Sequence, residues 1–380
     1  MNKSLYIHIP FCQKKCPYCD FYSCCYDKVL ANAYIEVLCK QIETLDDDFF
    51  TLYIGGGTPS VLDFSLLKKL LKALSKISAN VEEFTIEVNP ESLEKRKLKL
   101  FYDNRVNRLS IGVQSFSDQK LKKLERIHNR DKAMEVIQLA KLVGFKDIGI
   151  DLIFGVSGET LSEWEKELKQ ATSLGLKHIS TYCLTYEKST PLFLQVKKKF
   201  VIPLGDESLA RMYLKTINYL TKRGFKHYEI SNFAKPGFES KHNQNYWQGN
   251  LYLGLGPSAV SFIEDTRTGV KKREKNVSDL GEYIERIKAR KSPVSFSETL
   301  SKKNQARELA AVKIRTKEGI NFKWFRTHTG YDFLRLEDKA LNDLLKDGLI
   351  KYKKEKGRII GVYLSKKGFS FSDTVSSTFL

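Results

Sequence analysis

Six short runs rich in β-branched and aromatic residues recur along the first half of the chain: Leu5 to Ile9, Thr51 to Ile54, Phe84 to Val88, Arg108 to Gln114, Asp147 to Phe154 and His178 to Thr185. Between them lie amphipathic segments, among them Phe64 to Ser78, Asp118 to Leu142 and Leu161 to Leu174, whose apolar residues return at three- and four-residue steps. Strand and helix alternate at about 25 to 45 residues, which predicts right-handed βαβ units and a parallel sheet. The polar residues closing the runs refine this. The second run leads into Gly55-Gly56-Gly57-Thr58-Pro59, the third carries Glu87, the fourth closes on Gln114 and the fifth carries Asp151. Special residues at so many strand ends favour a barrel, whose strand C-termini converge on one mouth, over an open doubly wound sheet. The expected fold class is α/β: an incomplete (β/α)6 barrel over residues 1–190.

Beyond Glu187 the alternation loosens. Lys197-Lys198-Lys199 precedes a helix near Glu207 to Arg223, and a polar, aromatic stretch follows: Tyr228-Glu229-Ile230-Ser231-Asn232-Phe233, then His242-Asn243-Gln244-Asn245-Tyr246-Trp247. A charged connection over Glu264 to Lys275 leads to a helix at Leu280 to Arg290. The tail reads as three helices (Leu300 to Lys313, Asn321 to His328, Leu336 to Asp347) and a hairpin (Ile350 to Tyr352, Ile359 to Leu364) around Lys356-Gly357. The predicted domains are the barrel, a flanking region over 191–293, and a mostly helical, winged-helix-like domain over 294–380.

Composition changes this picture little: 42% hydrophobic and 29% charged residues describe a folded protein and exclude disorder, collagen and coiled coil. No stretch reaches the ~20 apolar residues of a membrane span, and Met1-Asn2-Lys3-Ser4 runs into the first strand without a signal-peptide layout, so the cytoplasm is the expected compartment. The 64 basic against 45 acidic residues give +19 and point to an anionic partner: a polycarboxylate ligand, nucleic acid, or peripheral contact with a membrane surface. Many of the lysines fall on polar helix faces, which favours a merely solvated surface.

The seven cysteines change it more. An odd number without secretion signals argues for metal or redox chemistry over disulfides, and five of them lie between Cys12 and Cys25. Cys12, Cys16 and Cys19 put three thiolates on the loop leaving the first strand. Three thiolates can hold a 4Fe-4S cluster with one iron left open to a small molecule, or a Cys3His zinc with His8 as the fourth ligand; spacing alone leaves both open. The pattern Cys-x3-Cys-x2-Cys, within Tyr6-Ile7-His8-Ile9-Pro10-Phe11-Cys12 and Pro17-Tyr18-Cys19-Asp20-Phe21, resembles the radical S-adenosylmethionine (SAM) superfamily. The similarity is to the branch holding oxygen-independent coproporphyrinogen III oxidases and HemW-type heme chaperones. It implies a 4Fe-4S cluster on Cys12, Cys16 and Cys19, with SAM chelated at the open iron.

The same resemblance assigns the SAM amino group to Gly56, Gly57 and Thr58. It places Tyr6 and Tyr18 beside SAM and the cluster, Glu87, Gln114 and Asp151 against polar groups of the nucleoside, and Arg126 at the SAM carboxylate. Each is chemically suited, although each alone reads equally well as a turn, cap or surface charge. Two features separate the branches. Coproporphyrinogen oxidases carry a further cysteine two residues after the third ligand, where this chain has Phe21. The segment His242-Asn243-x-x-Tyr246-Trp247 is similar to the heme-chaperone motif, which implies heme bound by His242, Asn243, Tyr246 and Trp247, with the imidazole of His242 as ligand. Expected partners are then heme as cargo, heme-accepting client proteins and an electron donor. Oxidative decarboxylation of coproporphyrinogen III is the alternative activity, and radical modification of nucleic acid a third reading, motivated by the charge and the tail.

Overall fold

The computed structural model describes residues 3–265 and 268–380. All six expected strands form: β1 (Ser4–Ile9), β2 (Thr51–Gly56), β3 (Glu83–Val88), β4 (Arg108–Gln114), β5 (Asp147–Phe154) and β6 (His178–Cys183) lie side by side in chain order, all parallel. Helices connect them: α1 (Lys28–Glu43), α2 (Phe64–Ala73), α3 (Lys95–Asp103), α4 (Asp118–Lys123), α5 (Arg130–Val143) and α6 (Leu161–Ser173). The strands β1 to β4 alternate between two faces, and β5 does so as far as Asp151. Leu5, Ile7, Ile9, Leu52, Ile54, Phe84, Ile86, Leu109, Ile111, Ile148 and Ile150 are buried in the apolar layer. The residues between them (Ser4, Tyr6, His8, Thr51, Tyr53, Glu83, Thr85, Glu87, Arg108, Ser110, Asp151, Ser180) take the opposite face, the barrel interior. This interior is polar and hydrogen-bonded, as in Ser4 to Thr51 (2.7 Å) and Ser110 to Asp151 (3.1 Å), where most β/α barrels pack aliphatic side chains.

The amphipathic stretch from Asp118 to Leu142 is two helices, not one. After α4 the chain turns at Glu125, whose φ is +51°, and restarts at Asn129, whose side chain caps Lys132 N. The apolar stripe runs through both halves, so periodicity alone hides the break. Arg126 and His128 lie in it.

Residues after Glu187 extend this sheet at both edges. Following α7 (Pro191–Lys197) and α8 (Asp206–Thr221), the short strands β7 (Lys226–His227) and β8 (Asn232–Ala234) add antiparallel beyond β6. Then α9 (Lys241–Trp247) crosses under the barrel, and β9 (Tyr252–Leu255) pairs parallel with β1, Ser4 opposite Tyr252. The parallel run is thus seven strands. The stretch expected as a charged connection, Glu264 to Lys275, whose Thr266 and Arg267 lie outside the described residues, instead contains the last residue of β10 (Val260–Glu264) and most of β11 (Lys271–Asn276), which pair antiparallel. After α10 (Leu280–Lys288), β12 (Val294–Thr299) completes a 12-stranded sheet.

The tail follows the expected order: α11 (Lys302–Lys313), a short strand β13 (Ile320–Asn321), α12 (Phe322–Thr329), α13 (Phe333–Leu336), α14 (Asp338–Lys346), and the hairpin β14 (Ile350–Glu355) and β15 (Arg358–Leu364). Lys356 and Gly357, both at positive φ, make the hairpin turn. No helix among the described residues is long and apolar enough to cross a membrane.

Candidate active site and cargo cleft

The loop after β1 is pinned where the three cysteines stand. Phe11–Cys12 pairs with Cys24–Cys25, Cys19 N reaches Cys16 O (3.1 Å), and Leu192 N on α7 reaches Pro17 O (2.9 Å). Two donors approach the sulfurs: Thr58 Oγ1 lies 3.6 Å from Cys12 Sγ, and Arg126 Nη1 lies 3.5 Å from Cys16 Sγ. Burial pushes the Cys12 and Cys19 thiols up, which keeps them neutral until a metal displaces their protons. His8 stands apart from this set. Its Nε2 faces the carbonyl of Tyr22 (2.9 Å) and its Nδ1 the hydroxyl of Tyr6 (3.0 Å), which commits both nitrogens. Among the described residues no three His, Cys, Asp or Glu side chains converge as one ion would require.

The glycine run lies against this loop. Gly56 has φ +111°, and a Cβ there would meet the His8 ring at 2.6 Å; a Cβ on Gly57 would meet Phe11 O at 2.6 Å. Gly57 N and Thr58 N donate to Ile9 O (2.8 Å) and Phe11 O (2.7 Å), so the run sutures β2 to the cysteine loop. Glu87 Oε2 accepts from Gly56 N (3.0 Å) and Oε1 from Tyr53 OH (2.7 Å). Burial, with Asp151 nearby, moves its carboxyl up to about 7 against these hydrogen bonds. Burial likewise raises Asp151, which accepts from Ser110. Gln114 closes β4 at φ +61°, a cost tolerated at functional strand ends.

Arg126 is held by Glu91 Oε2 (3.4 Å) and Gly112 O (3.3 Å). Burial opposes its charge, but Glu91 and then Tyr18 and Cys16 hold its pKa above the ordinary value. Its Nε is buried without a partner among the described residues. Tyr18 packs onto the apolar cluster of Leu124, Ile153, Val156, Leu184 and Leu192 beside Cys16.

The aromatic segment lies at the opposite end of the barrel. α9 starts on Glu83, whose carboxylate accepts from Lys241 N (2.7 Å), His242 N (3.0 Å) and Ser240 Oγ (3.3 Å). His242 points into the barrel, 1% exposed, with Nδ1 on Thr51 Oγ1 (2.8 Å) and Nε2 on Tyr246 OH (2.9 Å). The expectation of an imidazole free for iron is not met in this geometry, because both ring nitrogens are engaged inside the protein. Asn243 and Trp247 project from a neighbouring face of the helix, the Trp247 ring 5.7 Å from that of Tyr228. Above them a cleft of about 640 Å³, within the ~300 to 1,000 Å³ of ligand cavities, joins Tyr246, Tyr252 and Tyr6 to Cys19, Asp20 and Phe21 on the cysteine loop. Phe21 is 71% exposed at its lip.

The model of the Radical SAM superfamily matches residues 6–171. The heme chaperone HemW of Bacillus subtilis (strain 168) is 35% identical over 100% of this chain and 99% of its own length, and that of Lactococcus lactis subsp. lactis (strain IL1403) 34% identical over 99% and 97%. The chain belongs to the HemW family. Escherichia coli coproporphyrinogen III oxidase (HemN), described as a radical SAM enzyme, shares the fold, with a TM-score of 0.83 at 22% identity over 100% of this chain and 90% of that one.

Membership of the HemW family, within the radical SAM superfamily, implies a 4Fe-4S cluster and SAM, and the donor set fits them. Three thiols stand without a fourth ligand, N–H and O–H donors face two of the sulfurs, and a guanidinium with an unsatisfied N–H lies beside them. Tyr53, Glu83, Arg108 and the Glu91–His128 pair are site residues that the sequence analysis does not single out, and His8, weighed there only as a zinc ligand, joins them. Polar and apolar alternation, as in Ser4-Leu5-Tyr6-Ile7-His8-Ile9, marks the first three.

Proposed function

We propose that this protein is a heme chaperone that holds heme in the cleft and passes it to heme-requiring proteins, on a radical SAM scaffold. Cys12, Cys16 and Cys19 would hold the cluster. Gly56, Gly57, Thr58, Glu87, Gln114, Arg126 and Asp151, flanked by Tyr6 and Tyr18, would hold SAM. When bound, the cluster supplies a low-potential electron and SAM the group it can cleave. The chain's own share is positional. Arg126 offers a charge-assisted donor, Glu87 a carboxylate whose two oxygens are both oriented by a donor and keep a further lone pair each, and the glycine run brings backbone within reach without side chains between.

One observation carries the cargo reading: the cleft between α9 and the cysteine loop, lined by Tyr6, Tyr246 and Tyr252 and open past Phe21. Aromatic walls suit an apolar macrocycle, and Lys15 and Lys275 at the lining suit propionates. The oxidase reading is favoured by the shared fold alone, and Phe21 stands where those enzymes carry a further cysteine. Anaerobically reconstituted protein titrated with ferric heme is expected to bind one equivalent and to release it to a heme-free client. Incubated with coproporphyrinogen III, SAM and reductant, it is expected to form no protoporphyrinogen. Turnover, or failure to bind heme, would overturn the proposal.

A further inference from the structure

The cleft carries more candidate iron ligands than the motif names, and hydrogen bonding sorts them. His8 lines the cleft, but the Tyr22 carbonyl only accepts, so Nε2 carries the proton and donates. The neutral ring must then accept at Nδ1, which fixes the Tyr6 hydroxyl as its donor. That pair is closed. Tyr22 OH accepts from Leu280 N (3.0 Å) at the lip. Tyr252 sits beside Arg273, whose guanidinium is itself tied to Glu308 and Glu298. Cys19 belongs to the thiol set.

Tyr246 differs. Its phenol lies at the cleft wall, with the Tyr252 ring 4.7 Å away edge-on, and its one polar partner given by the geometry is the imidazole behind it. His242 does not line the cleft; it sits one layer deeper. Its other nitrogen meets Thr51 Oγ1, which in turn meets Ser4 Oγ, and each hydroxyl can donate or accept. This relay lets His242 settle with its proton on Nε2, aimed at the Tyr246 oxygen.

Resting on the heme-chaperone reading, we propose that the side chain ligating ferric heme from the cleft wall is the phenolate of Tyr246, and that His242 is its positioning residue, donating from Nε2 to the ligating oxygen. On ligation the Tyr246 O–H bond breaks, an iron–oxygen bond forms, iron-bound water leaves and the phenolic proton passes to solvent. Iron stays ferric and no electron moves. Burial holds the His242 ring neutral and the Tyr246 phenol protonated until iron takes the place of its proton. Tyrosinate is a known axial ligand of haem iron, so the chemistry needs nothing further.

The test uses the full chain with its cluster reconstituted, titrated with ferric heme and read by resonance Raman and optical spectra. Wild type is expected to show iron-phenolate vibrations and a phenolate-to-iron charge-transfer band, and Tyr252→Phe, which changes the cleft wall but not the ligand, to keep both bands while its heme affinity falls. Tyr246→Phe should lose both and bind heme on the order of tenfold or more weakly. His242→Gln should keep the phenolate bands at shifted frequency, because the ligand remains and its hydrogen bond changes. Thermal unfolding of each variant establishes that it is folded; should His242→Gln fail to fold, the Tyr246→Phe and Tyr252→Phe pair decides alone. Heme binding with an imidazole-type spectrum, or phenolate bands that survive in Tyr246→Phe, would overturn the ligand assignment and leave the chaperone reading standing. No heme binding by the wild type would overturn both.

Discussion

Glu87 shows how one residue can be legible in kind and illegible in state. Its place at a strand end marks it as a site residue, but its surroundings come from β2 and β5, which the local sequence does not specify. Burial, with Asp151 nearby, raises its carboxyl from 4.5 to about 7 against the hydrogen bond from Tyr53. Its folded pKa exceeds the unfolded one, so the stability it contributes is complete below about pH 4.5 and is lost as pH rises to about 7. Glu87→Gln has no such dependence. The stability of the variant relative to wild type should therefore climb by about 3 kcal/mol between pH 4.5 and 7, at 1.36 kcal/mol per unit. Urea unfolding of the metal-free protein across that range checks it; a flat difference would place Glu87 in an ordinary solvated environment. His242 teaches the converse. Its type suggested a ligand, while its position, fixed by Thr51, Tyr246 and Glu83 from three separate elements, makes it a partner of one.

Elements were readable where periodicity was local. All six strands and the winged-helix-like order follow from spacing, but the break between α4 and α5 left no mark because the apolar stripe passes through it. The β9 strand escapes a local reading because its partner, β1, lies about 250 residues away. Helix α9 was read as a polar aromatic stretch: with seven residues it is too short for a helical period, and what holds it is Glu83. That carboxylate satisfies Lys241 N, His242 N and Ser240 Oγ from the foot of β3, buried at 5% exposure. Glu83→Ala leaves these donors unpaired at the barrel floor and should cost about 3 kcal/mol or more, since an orphaned buried donor costs ~1 to 3 kcal/mol. Glu83→Gln keeps one acceptor and should cost less. Equal losses in denaturant unfolding would mean that α9 is held by packing alone.

At the scale of the whole molecule, the C-terminal domain reaches the cleft through a chain of contacts rather than a flexible tether. Arg273 on β11 donates to both carboxylate oxygens of Glu308 on α11, one at 2.9 Å, and to Glu298 on β12 (3.2 Å), and its charge lies beside Tyr252 at the cleft wall. Arg315 and Lys317 N add a second seam at Glu229 (3.6 Å) and Tyr228 O (3.0 Å). None of this is visible in the sequence, where the Glu264 to Lys275 stretch reads only as charge. The formal charge of +19 is also less available to a nucleic acid than it appears: α14, the helix that a winged-helix fold would present to DNA, carries Asp338 and Asp343 alongside Lys339 and Lys346. If the Arg273–Glu308 pair couples the two parts, a double-mutant cycle with alanine at both positions should return about 1 kcal/mol of interaction energy. That is above the median for exposed pairs because the contact is two-pronged, and below the ~1.5 to 3 kcal/mol of a charged hydrogen bond because both side chains are about one-third exposed. The same variants should weaken heme binding, since Arg273 braces the cleft wall beside Tyr252. A coupling energy near zero with unchanged heme affinity would show that the C-terminal domain is attached to the cleft without acting on it.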